Sequence, residues 1–233
     1  MNQVFQALRR WGIFAVGAGA LLVLQGCATP AKPYDYAAFH AAKPASIIVL
    51  PPVNATPEVQ ATPGVLAQVT RPLAESGYYV LPVSLVDETL KQNGVLTADE
   101  AQGIDRAKLR EIFGADAGLY LKVTRYGSVY RVINSETAVT LEARLVDLRS
   151  GQLLWDGSAT ASSAEQSNNN QAGLVGLLVK ALVDQIVASA TDKSYPIAGI
   201  ASERLLGAGS HNGLLFGPRS PRYGKADGGK SGG

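Results

Sequence analysis

Ser46-Ile47-Ile48-Val49-Leu50-Pro51-Pro52 decides the class of fold. Four large apolar residues follow one another without a polar interruption, which is how a strand covered on both faces reads, and the prolines end it because neither can donate to a ladder. Downstream, Thr62-Pro63 has the form of a helix start with proline in its first turn. Leu66, Val69, Thr70 and Leu73 recur at helical spacing, Pro72 predicts a kink, and Gly77 a stop. Tyr78 to Val83 reads as the next strand. Strand, helix, strand over about 35 residues is a βαβ unit with parallel strands.

Ser84 and Asp87 open a second helix that Asn93-Gly94 closes, and Thr97 with Glu100 has the spacing of a capping box. A further helix runs to Phe113, with Leu109, Ile112 and Phe113 on its buried side and Gly114 as its stop. After Ala117 the period changes to two. Leu119, Leu121 and Val123 alternate with Tyr120, Lys122 and Thr124, and later Val139, Leu141, Ala143 and Leu145 alternate with Thr140, Glu142 and Arg144. Asp147 to Gly151 is a turn, from which Gln152 to Ala161 returns as a strand. Strands without intervening helices form an antiparallel meander. The expected fold is therefore α/β (α+β): a mixed sheet of about five strands, a parallel βαβ first half, an antiparallel second half, and helices packed on the sheet.

Ser162 to Gln171 is a polar loop leading into a long C-terminal helix, Leu174 to Ala190, whose polar stripe is narrow. Such a helix is covered on more than one side, either by sheet and tail or by a second copy of the chain. On the second reading Leu174, Leu178, Leu182, Val183 and Ile186 form an oligomer interface. Beyond Asp192 the extended tail is glycine-rich, yet Ile197, Leu205, Leu206, Leu214, Leu215 and Phe216 predict that it packs down as far as about Tyr223, with only the last ten residues disordered.

The amino terminus carries Arg9 and Arg10, then an uncharged apolar run from Trp11 to Leu24, then Leu24-Gln25-Gly26-Cys27. This is the layout of a secretory signal; the run is too short for the roughly 20 residues of a membrane-spanning helix. A small residue before the cut and a thiol after it suit cleavage ahead of Cys27 and acylation of its sulfur. Ala28 follows, where an aspartate would favour inner-membrane retention, so the outer membrane is expected. The organisation predicted is 1–26 as lipoprotein signal, 27–44 as lipidated tether, 45–195 as a single domain, and 196–233 as a packed extension ending in a Gly/Lys-rich tail. Tyr34, Tyr36 and Phe39 of the tether are expected to dock on the domain.

Arg9 and Arg10 are the only charges of the signal, so 21 basic residues minus 2 leaves 19 against 19 acidic. A neutral mature chain has no nucleic-acid footprint. Cys27 is the only cysteine, which excludes disulfide scaffolds and cysteine metal sites. The two histidines, His40 and His211, stand in no metal-pair or Ser-His-Asp spacing, and no cofactor is expected. Gly207 to Gly213 lacks the spacing of a phosphate loop. One loop has a structural claim on a ligand: residues 51–62 follow the first parallel strand, where open α/β sheets form crevices, and Asn54, Glu58 and Gln60 are its polar groups.

Lys32-Pro33-Tyr34-Asp35-Tyr36, Ile47 to Asn54, Gly77-Tyr78-Tyr79-Val80, Glu88 to Gly94, Ile112 to Ala117, Arg144 to Gly151 with Trp155, the asparagine run, and Thr191 to Tyr195 together resemble a bacterial outer-membrane lipoprotein family of unknown function, the meningococcal vaccine-antigen type. The resemblance implies a dimeric outer-membrane lipoprotein with a domain similar to the amino-terminal domain of the Tol translocation protein and to the curli-secretion lipoprotein. It also implies that Asp147, Gly151 and Trp155 mark a structural hairpin. Relatives of that fold act through protein contacts in export, envelope assembly and regulation of peptidoglycan enzymes. The expectation is thus a non-enzymatic, outer-membrane-anchored homodimer facing the periplasm, a subunit of an envelope export or assembly system. Its partners would be a curli-secretion-like lipoprotein or other envelope proteins. The alternatives are a small-ligand module using the 51–62 crevice and a regulator of a peptidoglycan enzyme.

Overall fold

The first strand, β1 (Ser46–Val49), is buried along its apolar length, with Ile47, Ile48, Val49 and Leu50 all at most 1% exposed. The computed structural model describes residues 34–130, 135–166 and 192–225, so the signal, Cys27 and the helix expected over 174–190 lie outside the described residues. Among the described residues six strands form one sheet: β1, β2 (Val53–Asn54), β3 (Tyr79–Val80), β4 (Ala117–Tyr130), β5 (Ser135–Asp147) and β6 (Leu153–Ser162). The order is β3-β1-β4-β5-β6, with β2 also paired to β4. Pairings of β1 with β3 and of β1 and β2 with β4 are parallel; β4-β5 and β5-β6 are antiparallel. The mixed sheet is the one expected, with β2 as an additional short strand.

Pro51-Pro52 explains why β1 and β2 are separate. Leu50 N–H donates to the Leu119 carbonyl and Ala55 N–H to that of Val123, but proline brings no N–H to the Leu121 carbonyl between them. The Gln102 side chain supplies it instead, its Nε2 donating to Leu121 O at 2.7 Å and to Pro51 O at 2.9 Å. A side-chain amide thus bridges the gap in the ladder.

The expected kinked helix is two short ones, α2 (Ala61–Leu66) and α3 (Thr70–Glu75). Pro72 lies in the first turn of α3, where its missing N–H leaves no intrahelical bond unmade, so it starts a helix and does not bend one. Helix α2 starts one residue before Thr62, whose hydroxyl donates to Pro52 O at 3.0 Å and caps nothing. A preceding helix, α1 (Ala37–Ala42), carries the buried Phe39. Helix α4 (Val83–Gln92) ends before Gly94 as read. Helix α5 (Ala98–Gly103) has the predicted capping box, Thr97 accepting from Glu100 N–H and Glu100 reaching back to the Thr97 N–H. Helix α6 (Arg106–Phe113) stops at Gly114 in the left-handed region. Leu109 is fully buried and Phe113 partly so, but Ile112 is 57% exposed, because the i, i+4 pair sets the stripe of this short helix and turns Ile112 aside.

Helices α4 to α6 bury Val86, Leu90, Ala101 and Leu109 against Ile48, Leu50 and Leu148 on one face of the sheet. The alternating residues Leu119, Leu121, Val123, Leu141, Ala143 and Leu145 line the other face and are all buried. That face is covered by α2, α3 and a helix absent from the sequence reading, α7 (Ser194–Leu206), which packs on β5 and β6. Polar Lys122, Glu142 and Arg144 lie on the opposite face as expected. Helix α7 runs through the position at which the sequence separates domain from extension.

The segment after α7 belongs to the core. Leu205, Leu206 and Leu214 are buried, and the Trp155 indole N–H donates to Asn212 O at 3.1 Å. Ser76 Oγ accepts from Ala208 N–H, Gly217 N–H donates to Ser76 O and Arg219 N–H to Gly77 O. Gly77, at φ +96°, permits this passage: a Cβ there would stand 2.4 Å from the Ser220 nitrogen. Asp147 Oδ1 accepts from Arg149 and Ser150 N–H at 2.6 and 2.9 Å and closes the β5–β6 turn.

Candidate functional site

Two clefts lie at opposite ends of β1. At its carboxyl end, a cavity of about 370 Å³ is lined by Pro51, Thr62, Leu66, Lys91 and Thr97 among others. The residues singled out for this crevice sit beside it. Asn54 closes its own loop, its Oδ1 accepting from Thr56 N–H and Oγ1 and its Nδ2 donating to Glu58 O at 2.8 Å. Glu58 is exposed and packs its stem toward Gly127, and the exposed Gln60 uses its carbonyl to accept from Gly64 N–H. Inside the cavity, Lys91 and Asp87 pair at 2.6 Å. With Gln102 filling the ladder, the strand-end carbonyls already have intramolecular partners.

The second cleft is at the amino end of β1, between α1 and the C-terminal segment. It measures about 590 Å³, and its walls are Tyr36, Phe39, Pro44, Leu215 and Phe216. Three cations, Lys43, Arg222 and Lys225, stand among the described lining residues, with no carboxylate. Tyr36 and Phe39 dock on the domain as expected, Phe39 buried and the Tyr36 hydroxyl donating to Gly213 O. Beneath them the Tyr78 hydroxyl donates to Leu215 O. Burial first, and then the neighbouring Tyr223, push the Tyr78 phenol far above its usual range, so it remains a neutral donor.

Lys43 ends α1 with φ +48° and ψ +56°, a left-handed position usually given to glycine or asparagine; its N–H donates to Phe39 O. The Arg222 guanidinium lies 4.2 Å from the centre of the Phe216 ring, and that of Arg219 lies 5.4 Å from the centre of Tyr79. In each case the cationic carbon lies over the electron-rich face of the ring. His40 and His211 are both exposed. Loop 207–213 follows a helix and closes on itself through Gly209 N–H to Leu214 O and Gly213 N–H to Ser210 O.

Sequence reading missed this cleft because α1 and the tail are some 180 residues apart. The apolar residues of the tail were its signal, but nothing in the chain pairs them with Tyr36. Among the described residues no group of three or more His, Cys, Asp or Glu could hold a metal ion, and no helix is long and apolar enough to cross a membrane.

The fold and this cleft define a class: a mixed-sheet α/β module with an apolar, cation-rimmed surface groove. The family described as "Putative lipoprotein GNA1162-like" matches residues 34–219, and the chain belongs to that family. It is 48% identical over 205 residues to "Putative lipoprotein NMB1124/NMB1162" of Neisseria meningitidis serogroup B, a match covering 88% of this chain and 94% of that protein. The crystal structure of lipoprotein GNA1162 from Neisseria meningitidis is 49% identical, with a TM-score of 0.51 over 63% of this chain and 100% of the other. A PelC dodecamer from Paraburkholderia phytofirmans is 12% identical, with a TM-score of 0.42 over 71% of this chain and 88% of the other. A likeness that loose transfers neither assembly state nor partner.

Proposed function

We propose that the chain is a non-enzymatic lipoprotein acylated at Cys27, held at the outer membrane facing the periplasm, and that it works through protein contacts as a dimeric subunit of an export or assembly system. The observation that carries this reading is positional. The family match begins at residue 34, seven residues after a cysteine that ends an export-signal pattern, so anchor and folded domain are joined by a short tether. A family of lipoproteins is the expected setting for such a junction.

Replacing Cys27 by serine tests it. The wild-type chain should fractionate with outer membrane and carry radiolabelled palmitate; Cys27→Ser should be folded, unlabelled and soluble. A Cys27→Ser protein that still sediments with outer membrane overturns the anchor.

A further inference from the structure

We infer that the groove between α1 and the C-terminal segment is the face the domain presents to its membrane, and that it binds the phosphate of an anionic phospholipid. This rests on the lipid-anchor reading above and adds a surface to it. Lys43 and Lys225 place two positive charges beside walls that include Tyr36, Phe39 and Phe216, Arg222 lies over the Phe216 ring, and no carboxylate is among the described lining residues. A free phosphate needs only the charges, whereas a lipid headgroup needs charges above an apolar floor for its glycerol and upper acyl carbons. Aromatic rings beside lysine and arginine are the composition of a membrane interface.

Covalent geometry places the groove within reach. Tyr36 is nine residues after Cys27, a contour of at most about 30 Å at roughly 3.3 Å per residue. A volume of about 590 Å³ suits a headgroup and the first carbons of its chains. Lys43 adds a local observation, since a lysine occupies a left-handed cap where glycine would cost less, which keeps a charge at the mouth of the groove.

The test uses the full mature chain with Cys27→Ser, so that acyl chains do not bind for it, and vesicles of phosphatidylcholine alone or mixed with phosphatidylglycerol. Binding should require phosphatidylglycerol and weaken with salt. Lys43→Gly, which suits the cap and keeps the fold, and Lys225→Gln should each lower affinity about fivefold. Lys122→Gln, on the polar face of the sheet, should leave it unchanged; thermal melting confirms that all three are folded. Equal binding to both vesicles, or a Lys122 effect as large as that of Lys43, overturns the inference. So does full displacement by inorganic phosphate, which would mark a soluble anion site, or by polyglutamate, which would mark an acidic-peptide site. Fractionation of the acylated wild-type chain reads the anchor separately. If that chain reaches the membrane while the Cys27→Ser protein ignores anionic vesicles, the groove fails and the anchor stands.

Discussion

Asp116 holds the start of the sheet together with a single carboxylate. Oδ2 accepts from Ala45 N–H, Ser46 N–H and Ser46 Oγ at 2.9 to 3.1 Å, and Oδ1 accepts from Arg149 Nη2 at 3.0 Å, so the entry to β1 is tied to the entry to β4. Burial alone would raise its pKa; the hydrogen bonds from Ala45 and Ser46, helped by Arg149, outweigh burial and hold it below the ordinary aspartate value. A carboxyl depressed in the folded state contributes stability that is present above its unfolded value, near about 3.9, and lost as pH falls through the lower folded value. Asp116→Asn should therefore cost about 1–3 kcal/mol at neutral pH, from hydrogen bonds to a charged acceptor. Urea unfolding of both proteins should show that gap closing as pH falls below the ordinary aspartate value. A gap that persists undiminished in acid assigns the cost to something other than the charge.

Among elements, those written by alternation or by caps were legible and those written by small residues were not. Residues 119–123 and 139–145 alternate because in β4 and β5 one face is covered while Lys122, Glu142 and Arg144 on the other meet solvent, beyond the part that α4 to α6 cover. The Thr97–Glu100 box was legible because its chemistry is local, and Thr97→Ala should lower Tm by about 2–4 °C, read by circular dichroism, with Thr97→Ser close to wild type. Helix α7 was written too, in its buried residues Ser194, Ile197, Ala198, Ala201, Ser202, Leu205 and Leu206, which keep strict helical spacing. Hydropathy discounts a stripe of alanine and serine, and Pro196 and Gly199 read as breakers. Pro196 stands in the first turn, where no bond is lost, and Gly199 lies against the Gln68 side chain, where a Cβ would come within 3.3 Å of its amide oxygen. Strand β3 lies inside the segment read as a strand, Tyr78 to Val83, but is only Tyr79–Val80 because α4 already begins at Val83, whereas β2, of two residues, is shorter than periodicity needs.

At the scale of the whole molecule, parts distant in sequence meet, and there the sequence was least informative. The βαβ half was predictable because its strands are adjacent in the chain. The groove was not, because α1 and the tail come from opposite ends, and Gln102 as a surrogate ladder donor announces itself by no motif. Self-association is the remaining whole-molecule expectation, resting on the apolar pattern of 174–190. Light scattering of the mature Cys27→Ser chain at micromolar concentration should give the mass of two copies, and Leu178→Asp or Val183→Asp should halve it. A wild-type monomer at that concentration rejects the dimer.

The strap that runs from Leu206 back past Ser76 and up to Tyr36 also bears on timing. Tyr36 and Gly213 are 177 positions apart, so a segment far down the chain completes a core whose first strand comes early in it. Helices α4 to α6 can cover Ile48 and Leu50 early, but the contacts of Trp155 with Asn212 and of Tyr36 with Gly213 cannot form until the segment after α7 has been made. Truncation ahead of residue 208 would remove the partners of Trp155, Ser76 and Tyr36 together, and so would expose the core at three places.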